Sequence, residues 1–311
     1  MLIKQVIDVY DLIDRADING EKVKTYMESL GAKHVSVKKF SGENGSTDFI
    51  KILIPGKNGK TNGGNAPTLG ILGRLGGIGA RPELIGFVSD GDGALAALSA
   101  AAKLLDMQAK GDFLEGDVII HTHICPDAPT QPHDPVPFMG SPVDMATVNA
   151  EEVSGALDAI LSIDTTKGNR IINHTGFALS PTVMKGYILR VSDDLLTVMQ
   201  DVTGALPQVF ALTTQDITPY GNGIYHLNSI LQPATATDAP VVGVAITTQT
   251  AVPGCATGAS HFTHVESAAR FSVEVAKYFG KNKCNFYNKE EFELIEKKYG
   301  SMAHLQTLGK E

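Results

Sequence analysis

Residues 84–124 read LIGFVSDGDGALAALSAAAKLLDMQAKGDFLEGDVIIHTHI, and this stretch decides the fold class. Residues 84–88 and 117–124 are short apolar runs of strand length, and residues 93–107 between them are apolar on nearly every side. A helix with no polar face must be covered all round, so the reading is strand, buried helix, strand. The pattern continues outward in both directions. Residues 68–72, 157–163, 187–191, 209–213 and 240–246 are further apolar runs. Helical spacing recurs near 194–202, 223–231 and 265–279. Strands alternating with helices predict an α/β protein, a three-layer sandwich with a mostly parallel central sheet.

Before this core, residues 5–15 and 20–30 read as two helices, with Gly31 placed to end the second. Residues 34–40 and 48–54 alternate with the two-residue period of strands, and the Gly-, Lys- and Asn-rich residues 56–65 read as an exposed turn. Residues 289–298 form a charged amphipathic helix. No repeat or linker divides the chain, which predicts one domain over 1–311, with N-terminal helices in 1–31 and a helical tail in 281–311.

Composition narrows the function. Thirty-four acidic against 26 basic residues give a formal charge of −8, which disfavours phosphate backbones and anionic membrane surfaces. The start of the chain lacks a signal-like apolar core, and no apolar run reaches membrane-spanning length. Three well-separated cysteines, Cys125, Cys255 and Cys284, suggest reduced thiols, hence a cytoplasmic protein. A charged fraction of 19% with 32 glycines suggests much buried backbone and close approaches, as in a compact α/β sheet or a tight homo-oligomer.

Four polar clusters stand where strands should end. They are Ser89-Asp90-Gly91-Asp92, His121-Thr122-His123-Ile124-Cys125-Pro126-Asp127, Asp164-Thr165-Thr166, and the Gly-rich residues 254–266 with His261, His264 and Glu266. In α/β sheets ligands bind beyond the carboxyl ends of the strands. Each cluster also has a structural reading: Asp90 or Asp92 as a helix cap, His121 as a core imidazole, Asp164 in a turn. Together, carboxylates and imidazoles at successive strand ends are what a divalent metal requires. The loop between Cys125 and about Met145 contains six prolines, and loops of that length inside a domain are usually functional. Gly73-Arg74-Leu75-Gly76-Gly77-Ile78-Gly79 lacks both the dinucleotide glycine order and the Walker lysine, so it is not read as a phosphate loop. Arg74 or Arg81 instead suits a substrate carboxylate. Cys255, with His261 or His264 near it in sequence, is a candidate nucleophile, against the commoner case of a small buried cysteine.

Three runs, residues 66–77 (APTLGILGRLGG), 123–129 (HICPDAP) and 214–220 (TQDITPY), resemble over nearly the whole length a bacterial family known only as a domain of unknown function. More distantly, the order of elements is similar to the co-catalytic zinc aminopeptidases, including the tetrahedral type. That resemblance makes Asp90 the metal-bridging carboxylate and sets Pro126 and Asp127 at a Glu-Glu pair. It makes Asp164 the second-metal ligand and His261 or His264 the late histidine. The family's His-x-Asp ligand motif falls at Arg74-Leu75-Gly76, and Pro126 stands where the family has its catalytic glutamate. The resemblance implies a metal-dependent hydrolase of a small peptide-like or amide substrate holding one or two divalent ions, zinc foremost. Asp90, Asp127, Asp164 and His264 would be ligands, with His123 or His133 able to restore one. Asp127 and His123 would be catalytic, and Arg74, Asp92 and Asp216 would bind substrate. Two alternatives stand beside it: a metal-free binding or assembly protein on a lapsed peptidase scaffold, and a cysteine enzyme using Cys255.

Overall fold

The computed structural model describes residues 1–43, 45–81, 83–153, 155–212 and 229–307. The helices are α1 (Ile3–Ile13), α2 (Gly20–Ser29), α3 (Asp92–Ala109), α4 (Met145–Glu152), α5 (Asp193–Thr203), α6 (Phe262–Phe279) and α7 (Lys289–Tyr299). The strands are β1 (His34–Gly42), β2 (Gly45–Ile54), β3 (Leu69–Gly73), β4 (Val118–Ile124), β5 (Thr130–Gln131), β6 (Phe138–Met139), β7 (Ala159–Thr165), β8 (Gly176–Leu179), β9 (Val183–Met184), β10 (Tyr187–Ile188) and β11 (Val241–Thr247).

Nine of these strands form one sheet in the order β1-β2-β4-β3-β7-β11-β9-β10, with β8 also on β11. The four central strands β4, β3, β7 and β11 are mutually parallel. The flanks are antiparallel: β1 and β2 at one edge, β8, β9 and β10 at the other. The predicted α/β class with a parallel centre is what is observed. Central strands are buried on both faces, so their side chains feed two cores alternately. Ile71, Leu161, Ile163, Val242 and Val244 enter the core beneath α3 and α6. Leu72, Ile160, Val241 and Ala245 enter a second core beneath the 3-10 segment Ser229–Thr235, against which α4 also packs. Among the described residues the helical layer is heavier on the α3–α6 face than on the face of α4 and the 3-10 segment.

Residues 84–88 differ from their reading. They form no strand, only an isolated bridge from Val88 to Thr257. Phe87 and Val88 are buried because they plug gaps near α3 and Cys255, and burial without a ladder leaves the same apolar signature. The strand paired with β4 through α3 is therefore β3. The run at 187–191 shortens to β10, and Val209 contributes a single bridge to Leu179. The helix expected at 223–231 lies mostly outside the described residues, which resume with the 3-10 segment. Among the described residues no helix is long and apolar enough to cross a membrane.

Candidate functional site

The carboxyl ends of β3 and β4 frame a pocket of about 250 Å³. The chain leaves β3 at Arg74, whose N–H extends the ladder to Ile163 O at 2.8 Å. Leu75 then adopts a left-handed conformation, φ +56°, which turns the backbone across the strand end. Non-glycine residues rarely hold this conformation, and it concentrates at functional sites. The following loop zips onto the end of β4, with Cys125 N–H to Gly76 O at 2.8 Å and Ile78 N–H to Cys125 O at 3.0 Å. Only glycine fits at Gly76, because a Cβ there would lie 1.8 Å from His123 O. Arg74, Asp90 and His123, with Gln131, Ser141 and Asp144, supply the polar lining, while Phe138, Met139, Pro142 and Val148 wall the pocket with apolar surface. The Pro-rich loop thus becomes a wall. The β5–β6 hairpin and the start of α4, capped by Asp144 Oδ1 on Thr147 N–H, give it shape.

His123 is buried with both ring nitrogens occupied. Gly76 N–H donates to Nε2 at 3.1 Å, so that nitrogen carries the lone pair. Nδ1 then carries the proton and donates to Thr47 Oγ1 at 2.8 Å, and Thr47 passes its own proton to Ile124 O. Burial, with a smaller push from Arg74, lowers the His123 pKa to about 3. Arg74 is equally buried. Its Nη1 donates to Asn149 Oδ1 at 3.0 Å and pairs with Glu152 Oε2. Asn149 and Glu152, three apart on α4, share the face turned to it. Burial pushes the Glu152 carboxyl up to about 7 against the pull of Arg74. Arg74 Nε, Asn149 Nδ2 and Glu152 Oε1 remain buried without a partner.

A second polar group occupies the rim where β7, α3 and α6 meet. Asp92, the first residue of α3, is fully buried. Its Oδ2 lies 3.2 Å from Lys167 Nζ, and its Oδ1 accepts from Ser260 Oγ. Burial raises the Asp92 pKa, opposed by Lys167, Ser260 and His261. Lys167 also donates to Ala259 O at 3.3 Å. His261 and His264 stack 4.9 Å apart, and burial, His261 and Lys167 keep His264 below the usual histidine range. Asp164 is buried, its Oδ1 accepting the Thr165 N–H at 2.7 Å. Asp90 is buried against Gly254, where a Cβ would come 2.1 Å from Oδ1.

The structure departs from several of the expectations above. Among the described residues no group of three or more His, Cys, Asp or Glu side chains stands together to hold a metal ion. Asp90, Asp127, Asp164 and His264 therefore do not converge as a ligand set. Asp127 is exposed, because β4 ends at Ile124 and the alternation that would align Asp127 with His121 and His123 stops there. His123 has no free nitrogen for a metal or a substrate proton. His133 is half-buried and edge-on to Phe138. The Arg74 fork is engaged by Glu152 rather than open at both ends, and Asp92 is enclosed by Lys167 and Ser260. Arg81 braces the loop through Pro126 O and Asp14. Cys255 is buried, and burial with Asp90 raises its pKa, opposite to an activated nucleophile. Asp216 lies outside the described residues. Lys167, Asn149 and Glu152 belong to these polar groups but lie outside the four sequence clusters. Lys167 follows Asp164-Thr165-Thr166 directly, so a strand-end reading extended by one residue includes it. Nothing local marks α4.

The fold is similar to the Legionella pneumophila LapA aminopeptidase, with a TM-score of 0.52 at 11% identity over 91% of this chain and 70% of that one. A leucine aminopeptidase of Caenorhabditis elegans gives 0.49 at 12% identity, covering 92% and 66%. A cytosol aminopeptidase of Coxiella burnetii gives 0.45 at 15%, covering 86% and 67%. At such identities the likeness is one of fold. No curated protein matches the sequence. Residues 38–309 match the family model described as "Protein of unknown function (DUF1177)", and the chain belongs to that family.

Proposed function

Within that family, we propose that this chain binds a small zwitterionic molecule, an amino acid or short peptide, in the β3–β4 pocket without a catalytic metal. One observation carries the reading: an apolar-walled pocket whose lining includes a buried guanidinium with an unpartnered Nε and a buried carboxylate. Arg74 Nε suits a ligand carboxylate or carbonyl, Asp90 suits an ammonium, and Phe138, Met139 and Pro142 suit an apolar side chain. The donor set does not fit a divalent ion, so no step is routed through one. His123 serves as a fixed neutral support for the Gly76 turn.

The test is a melting-temperature screen of amino acids and dipeptides in the presence of EDTA, followed by calorimetry. A ligand at 100 times its Kd should stabilise the protein by about 2.7 kcal/mol. Arg74→Lys should abolish the effect, since an ammonium cannot reproduce the Nε position. Peptide hydrolysis that EDTA abolishes and zinc restores would overturn the proposal, as would a screen in which no zwitterion binds.

A further inference from the structure

The rim around Asp92 poses a charge problem separate from the pocket. A fully buried carboxylate requires a compensating cation or must give up its charge. Here the positive charge comes from the chain. Lys167, two residues beyond β7, turns inward with 4% of its surface exposed. Its Nζ lies 3.2 Å from Asp92 Oδ2 and 3.3 Å from Ala259 O. The next residue is clamped: Gly168 N–H donates to Thr248 Oγ1 at 3.0 Å, and a Cβ on Gly168 would sit 2.1 Å from Thr248 O. The backbone that follows Lys167 is thus held against the end of β11. Ser260 occupies the other carboxylate oxygen.

We infer that Lys167 is a built-in cation that meets the charge of Asp92, so that this carboxylate is closed to a divalent ion. One carboxylate, one ammonium, a hydroxyl and a carbonyl make a net-neutral set in which both carboxylate oxygens and the ammonium have partners. The inference does not depend on what the β3–β4 pocket binds. It is tested on the full chain, stripped with EDTA and then titrated with Mn²⁺ or Zn²⁺ while metal content and melting temperature are followed. The wild type should take up neither ion in stoichiometric amount and should melt unchanged. Lys167→Ala should melt about 5–10 °C lower, as expected for an orphaned buried charge. Either the added ion or the second change Asp92→Asn should return a large part of that loss. If Lys167→Ala does not fold, the Asp92→Asn/Lys167→Ala protein and the wild-type titration carry the decision. Stoichiometric metal uptake by the wild type overturns the inference. So does a Lys167→Ala protein that melts like the wild type, or a loss that neither the ion nor Asp92→Asn repairs.

Discussion

Two buried ion pairs stand at the same rim of the sheet, and they differ in what is left unsatisfied. At Asp92–Lys167 the hydroxyl of Ser260 and the carbonyl of Ala259 complete the set. At Arg74–Glu152 the pair is just as buried, yet Arg74 Nε, Glu152 Oε1 and Asn149 Nδ2 have no partner, and Arg74 lines a pocket. Buried polar groups are almost always paired, and of these three residues only Arg74 lines the cavity. The contrast is between a pair whose charged groups all have partners and a pair that leaves three polar atoms without one.

The largest expected effect is at the open pair. Arg74→Ala leaves Glu152 buried without its counter-charge and should cost about 3–5 kcal/mol in denaturant unfolding, with ligand binding lost. Replacing both partners, Arg74→Met with Glu152→Leu, should recover most of the stability but none of the binding. A cost below about 1 kcal/mol for Arg74→Ala would show that the pair does not matter as described.

An intermediate effect is the pH dependence. His123 has a folded pKa of about 3 against an unfolded value near 6.5, so the unfolded chain binds more protons between them. Its contribution is present above about 6.5 and is lost as pH falls toward 3. Glu152 has the opposite sign: raised to about 7, it contributes most below its unfolded value and loses that contribution as pH rises through 7. Between pH 5 and 6 the two slopes oppose. His123→Gln should make the stability–pH slope more negative in this window and Glu152→Gln more positive, as read by urea midpoints. Slopes unchanged in both variants would mean that neither group titrates as its burial requires.

The smallest effect is expected at Asp127. Because it is exposed, Asp127→Asn should change stability by no more than about 0.5 kcal/mol and leave ligand affinity unaltered. A large loss of binding there would move the functional centre away from the β3–β4 pocket.

The sequence by itself determined the alternation of strands with helices. β3 and β11 are mostly apolar runs, β4 and β7 begin as apolar runs and turn polar toward their ends, and α3 is apolar on nearly every side, so their type follows from side-chain period and burial. It also showed that polar residues collect at the strand ends. Residues 84–88 had the same apolar signal as a strand, but their neighbours offer no ladder. Asp127 was expected beside His123 until the end of β4 broke the alternation. Tertiary structure alone decided the partners: Arg74 meets Glu152 across 78 positions of chain, and Lys167 meets Asp92 across 75. Side-chain period acts over a few residues, whereas the partner of a buried charge is chosen by which elements the sheet order brings together.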